Sequence, residues 1–158
     1  MYTAVSRDPI VASDVLARLS DREDGAVLLF LGIVRNHNEG RAVSGMEYEA
    51  YEEMADQVLA EITREAGALL GTDRLAVVHR VGTLSIGEPS VAIAVSSPHR
   101  STAYEASRYV IEEIKVRLPV WKREHYTDGE RTWLPGHTPE AAKDPGAAAI
   151  SPTDGTQL

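Results

Sequence analysis

Ile114-Lys115-Val116-Arg117-Leu118-Pro119-Val120-Trp121-Lys122-Arg123-Glu124-His125-Tyr126-Thr127-Asp128-Gly129 takes the chain out of a helix and into a hairpin. Upstream of it, Ala103, Ala106, Val110, Ile114 and Leu118 recur every three or four residues, the spacing of one helix face. Thr102 and Glu105 give a Thr-x-x-Glu capping pattern at the predicted start of this helix. Pro119 has no N–H to continue the ladder and breaks the helix. Val120 to Tyr126 then reads as a strand, Asp128-Gly129 as a hairpin turn, and Arg131-Thr132-Trp133 as its return.

The pattern of helices separated by strand pairs extends upstream. Val91-Ala92-Ile93-Ala94-Val95 is a strong strand after the turn Gly87-Glu88-Pro89. Leu75, Val77, His79 and Val81 alternate with Ala76, Val78 and Arg80 in another strand. Before these, Met54, Val58, Ile62, Ala66 and Leu69 trace a helical stripe, widened by Ala55, Leu59 and Leu70 and stopped by Gly71. Met46, Tyr48 and Ala50 alternate with Glu47 and Glu49, as in a half-buried strand. The continuous apolar run Ala26 to Val34 predicts a strand buried on both faces, ending at the polar turn Arg35-Asn36-His37-Asn38-Glu39-Gly40-Arg41. A short helix is expected over Val15 to Leu19. The predicted order, β-α-β-β-α-β-β-α-β-β, points to an α+β fold with mostly antiparallel sheets and about three helices, not a doubly wound parallel sheet.

At 158 residues the chain suits one domain, expected over 1–134. Residues 135–158, rich in Ala, Pro and Gly, read as a flexible tail. No apolar run reaches the roughly 18 residues of a membrane span, and Met1 to Asp8 lack the layout of a signal peptide. The expected compartment is the cytoplasm. There are no cysteines, which excludes disulfides, thiolate metal sites, a cysteine nucleophile and a persulfide held by this chain. Any sulfur used in its chemistry must arrive on something else. A net charge of −8 argues against nucleic-acid binding. Within that acidic whole, Arg100, Arg108, Lys115, Arg117, Lys122 and Arg123 cluster in sequence, as expected either of an anion pocket or of a solvated helix face.

Several segments could carry chemistry. Arg35-Asn36-His37-Asn38 leaves a rigid apolar strand, so its side chains either line a site or form a plain turn. Ser96-Ser97-Pro98-His99-Arg100-Ser101-Thr102 enters a helix N-terminus, where unpaired N–H groups favour an anion. The capping pattern accounts for Thr102 and leaves His99 and Arg100 either for such a phosphate or as the exposed edge of a plain capped helix start. Lys115 falls roughly 100° from the centre of its helix's apolar stripe, on the flank of the buried face. Lys122 follows the Pro119 break, and the turn could return it towards Lys115. Two ammonium groups in a partly dry site disfavour each other's charge, which suits one as nucleophile or base. Two snorkelling lysines satisfy the same spacing. Strand alternation sends Lys122 and Glu124 to one face and Arg123 and His125 to the other. A lone His79 on an apolar face reads first as a core histidine. No metal-ligand spacing, Gly-rich phosphate loop or nucleophile elbow is present.

Four blocks together resemble the large subunit of molybdopterin synthase. They are Gly32-Ile33-Val34-Arg35-Asn36-His37-Asn38, His79-Arg80-Val81-Gly82, Ser97 to Ala106, and Ile114 to Glu124. The resemblance runs from about Gly25 to Trp133, and the Lys-x-Arg-x-Pro-x-Trp-Lys-Arg-Glu run is its most specific part. It implies a hammerhead-like α/β fold, a homodimer within a heterotetramer, and a small ubiquitin-like sulfur-carrier subunit as partner. The carrier's C-terminal Gly-Gly thiocarboxylate would deliver sulfur twice to cyclic pyranopterin monophosphate, completing the dithiolene of molybdopterin, with no resident cofactor or metal. By the same resemblance Lys115 meets the carrier's terminal glycine and Lys122 works beside it on the pterin. Arg35, His99 and Arg100 would hold the substrate's phosphate and pterin, in a pocket whose sharing across the dimer would let His99 and Arg100 serve the lysines of a second copy. The family commonly carries a further basic residue near the C-terminus, where this chain has Leu134-Pro135-Gly136-His137. A docking module for a ubiquitin-like tail and a phosphate-ester enzyme unrelated to sulfur are the competing readings.

Overall fold

Leu75 to Arg80 and Pro89 to Ser97 are apolar on nearly every position, and they become the two central strands of the larger sheet. In the computed structural model, which describes residues 1–19 and 23–134, the elements run β1 (Tyr2–Ser6), α1 (Ala12–Leu16), β2 (Ala26–Ile33), β3 (His37–Asn38), β4 (Arg41–Ala50) and α2 (Glu52–Leu70). They continue with β5 (Leu75–Arg80), β6 (Gly82–Ser85), β7 (Pro89–Ser97), α3 (Arg100–Arg117), β8 (Val120–Tyr126) and β9 (Arg131–Leu134). The first sheet has the order β1-β5-β7-β2, with β1 and β5 parallel and its other pairs antiparallel. The second sheet is antiparallel, ordered β3-β4-β8-β9, with β6 also paired to β4. This is the expected α+β class, with three helices among the described residues. The predicted tail, 135–158, lies outside those residues.

The core follows from strand alternation. Leu75 and Val77 of β5 and Ile93 and Val95 of β7 face α2 and α3, where Leu59, Ile62, Ala66 and Val110 are sealed from solvent. The opposite face of the same strands carries Ala76, Val78, Ala92 and Ala94, small side chains that let the short α1 approach through Val15. Gly71 caps α2 at φ 70°, the left-handed position a glycine takes without strain.

Four local expectations are corrected. The run Ala26 to Val34 was expected to be buried on both faces, but β2 is an edge strand and leaves Val27, Phe30 and Ile33 exposed. Its hydrophobicity therefore exceeds what the described residues bury. The buried stripe of α2 is Ala55, Leu59, Ile62 and Ala66, whereas Met54 and Leu69 face solvent, because the widening residues mark the true centre of the face. The Thr102 capping box does not form. Helix α3 starts at Arg100 with His99 as N-cap in an extended conformation. Finally, the polar turn after β2 contains β3, and residues after Val81 form β6, two strands too short to show periodicity.

Candidate active site

The cavity that matters lies where the two sheets meet the C-terminal end of α3. It encloses about 510 Å³, and Arg35, Lys115 and Lys122 all line it. Three different local structures bring them there. Arg35 comes two residues after the end of β2, just past the shift in pairing register at Gly32/Ile33. Lys115 is in the last turn of α3, one residue beyond Ile114, which is buried and also lines the cavity. Lys122 sits on β8 opposite Tyr48 of β4, another lining residue. The turn at Pro119 does return Lys122 to the cavity that Lys115 lines, as the helix-to-strand reading required.

Charge pairing separates these cations from their neighbours. Arg117 is held by Glu61, Glu65 and Glu113, and Arg123 by Glu47. Each has a structural partner, and the Glu65 carboxyl is held below its ordinary range chiefly by hydrogen bonding to Arg117. Lys115, Lys122 and Arg35 make no ion pair among the described residues, and the cavity lining contains no Asp or Glu. In a chain of net charge −8, three unpaired cations around one acid-free cavity make a local attractor for anions. The basic segment is thus half solvated face and half pocket.

Glu124, next but one to Lys122, is buried at 4% exposure. Its Oε2 accepts hydrogen bonds from Asn38 Nδ2 at 3.1 Å and the Tyr126 hydroxyl at 2.5 Å. That clamp ties β8 to β3 and fixes the strand that presents Lys122. The alternation expected of β8 holds, since Arg123 and His125 lie on the other face against Glu47.

His99 and Arg100 are not part of this cavity. Both are exposed at the opposite end of α3, where the Pro98 carbonyl crowds Gly25 at the start of β2. Fifteen residues of helix separate Arg100 from Lys115, about 22 Å. The structure also adds residues that sequence reasoning left out of the site. Tyr48, His79 and Ser90 form a polar floor among apolar walls that include Phe30, Ile111 and Leu118. The strand alternation that puts His79 on the α3 face is the available signal, and it is the same for a buried core histidine, which His79 also is at 6% exposure. No cluster of three or more metal-ligating side chains is found among the described residues, and no helix among them is long and apolar enough to cross a membrane.

An α+β protein with an acid-free, amine-lined cavity open to anions belongs to the class that binds or transfers groups carried on anionic substrates. Comparison with known proteins narrows this. Residues 5–117 match the family described as MoaE protein, a span that includes Arg35, His99, Arg100 and Lys115 and stops short of Lys122. The molybdopterin synthase catalytic subunit of Bacillus subtilis (strain 168) is 45% identical over 130 residues, 82% of each chain. That of Synechococcus elongatus is 43% identical, covering 84% of this chain and 81% of its own. The crystal structure of molybdopterin synthase from Staphylococcus aureus superposes with a TM-score of 0.79 at 38% identity, covering 84% of this chain and 96% of that one. The chain belongs to the MoaE family, whose matching members are molybdopterin synthase catalytic subunits.

Proposed function

We propose that this chain is the catalytic subunit of a molybdopterin synthase, a sulfurtransferase of molybdenum cofactor biosynthesis. It takes sulfur from the thiocarboxylated C-terminus of a small ubiquitin-like carrier subunit and places it on cyclic pyranopterin monophosphate. The carrying observation is the convergence of Lys115, Lys122 and Arg35, all unpaired among the described residues, on one acid-free cavity. Both reactants are anionic, so the same cations serve both. A dithiolene holds two sulfurs, so two carriers must be used in turn. With no cysteine in the chain, the sulfur stays on the carrier until transfer.

In this reading Lys115, at the end of α3, meets the carrier's terminal glycine, and Lys122 acts beside it on the pterin as base or as stabiliser of developing charge. Arg35 supplies a planar fork of donors for the phosphate. His99 and Arg100, about 22 Å along the helix from Lys115, serve the cavity of a second copy in a homodimer that binds two carriers. The reducing cytoplasm suits a thiocarboxylate donor and is the proposed location. Reconstitution tests the whole reading: the chain, a thiocarboxylated carrier and cyclic pyranopterin monophosphate, with molybdopterin read as its fluorescent oxidation product. Product from the unmodified chain, lost in Lys115→Ala and Lys122→Ala, is the expected result. Carrier binding without product would leave a docking module, and turnover of the phosphate ester without carrier would leave an unrelated enzyme.

A further inference from the structure

His79 is the buried ionisable side chain of the cavity wall, at 6% exposure, and the proposed chemistry leaves it without a task. Its Nδ1 lies 3.0 Å from the backbone carbonyl of Arg80. A carbonyl oxygen only accepts, so the proton sits on Nδ1 and Nε2 presents a lone pair. Burial holds the ring's pKa down at about 4, which keeps it neutral at ordinary pH. Nε2 has no partner among the described residues. It is not sealed in the core either, since the buried nitrogens without a hydrogen bond among the described residues belong to Arg80. An acceptor that is unpaired, not sealed, and carried by a residue lining a cavity is open to that cavity's occupant.

The surroundings say what kind of group it would meet. The Tyr48 ring stands edge-on to His79 at 5.5 Å and 75°, which restrains the imidazole plane. Burial pushes the Tyr48 hydroxyl up, and Ser90 lies within its hydrogen-bonding reach. The floor is therefore neutral and polar, while the exposed Arg35, Lys115 and Lys122 carry the positive charge. Anionic groups belong with the cations, and an uncharged donor belongs on the floor.

We propose that His79 Nε2 accepts a hydrogen bond from an N–H of the substrate's pterin, setting the depth and orientation of that ring beneath the two lysines. The inference rests on the proposed function and makes His79 a specificity-determining residue for it. Two isosteres separate this role from a structural one. Asn can keep the donor to the Arg80 carbonyl but has no atom at the Nε2 position; Gln can place an acceptor near Nε2 but loses the Nδ1 bond. His79→Asn is expected to keep its Tm and raise KM for cyclic pyranopterin monophosphate roughly tenfold, with kcat changed less. His79→Gln is expected to hold KM near that of the unmodified chain. A His79→Asn variant with unchanged KM, or a His79→Gln variant no better than it, overturns the proposal.

One readout needs no variant. In the unmodified chain, the 15N resonance of His79 Nε2 should move upfield when cyclic pyranopterin monophosphate is added, as a lone pair does on accepting a hydrogen bond. An Nε2 resonance that stays put at saturating substrate also overturns it. Failure of the functional reading looks different: no molybdopterin forms from the unmodified chain with loaded carrier.

Discussion

The two ends of α3 carry similar chemistry in different settings. At the C-terminal end, Lys115 joins Arg35 and Lys122 in lining a half-open cavity with a neutral floor. At the N-terminal end, His99 and Arg100 stand exposed, with no carboxylate partner among the described residues and no place in that cavity. The first site is assembled within one chain by a helix end, a strand end and a strand face. The second is a donor group without a cavity. An unpaired cation on an acidic protein is costly to leave idle only where it is desolvated, so exposure alone allows His99 and Arg100 to be plain surface. What the contrast teaches is that the chain gathers three cations around a cavity at one end of α3 and leaves Arg100 exposed at the other.

Breaking the first end should have the largest effect. Lys115→Ala or Lys122→Ala is expected to lower the rate of product formation by roughly 10²- to 10⁴-fold, the range for loss of a general acid, base or positioned charge. Because both side chains are exposed and unpaired, the variants should keep their Tm. A lysine variant that is inactive and also unfolded at lower temperature would make that lysine structural. Reconstitution rates and thermal scans on the same samples decide it.

The cavity floor titrates through His79. His79 has its folded pKa lowered from 6.5 to about 4, so the unfolded chain takes up the proton first as pH falls. The contribution is present in full above pH 6.5 and is lost on descending towards 4, by up to about 3 kcal/mol. Asp24, Glu47 and Glu88, held down mainly by hydrogen bonds to Arg74, to Arg123 and to the Ser85 N–H respectively, lose their contributions at lower pH. Chemical denaturation of the unmodified chain and His79→Gln from pH 7 to 4.5 separates the windows. The variant should lack the upper part of the decline.

Arg35 should behave as a binding residue. Its replacement by Ala is expected to raise KM for cyclic pyranopterin monophosphate by roughly ten- to a hundredfold, as for loss of a charge-assisted bond to phosphate. If kcat falls instead with KM intact, Arg35 acts on the transition state, and the division between phosphate-holding arginine and reacting lysines fails.

Much of this was legible in the sequence, for identifiable reasons. Strong periodicity gave α2, α3 and the central strands, and Pro119 and Gly71 ended the helices where expected. The β2 run misled because a continuous apolar strand reads the same whether its own chain or something else covers it; Val27, at 61% exposure, is not covered by the described residues. The capping box at Thr102 misled because His99 already takes the N-cap position with extended backbone. Lys115 and Lys122 were visible as residue types, but spacing alone could not distinguish a pocket from snorkelling. That decision needed Arg117 and Arg123 to be seen paired and the lysines not. His79 was invisible as a site residue because alternation places a core histidine and a cavity-floor histidine on the same face.

The smallest expected effect tests whether the two ends of α3 belong to one site across two chains. Lys115→Ala and Arg100→Ala subunits, each inactive or weak alone, are mixed in equal amounts, unfolded and refolded together. If Arg100 serves the lysines of a second copy, each mixed dimer has one site with both substitutions and one with neither. Random pairing makes about half of the dimers mixed, so about a quarter of all sites recover full activity. If Arg100 serves its own chain, every site carries a substitution and mixing recovers nothing. An Arg100→Ala chain that is fully active alone would remove the second end from the chemistry, leaving the cavity of Arg35, Lys115 and Lys122 as the complete site.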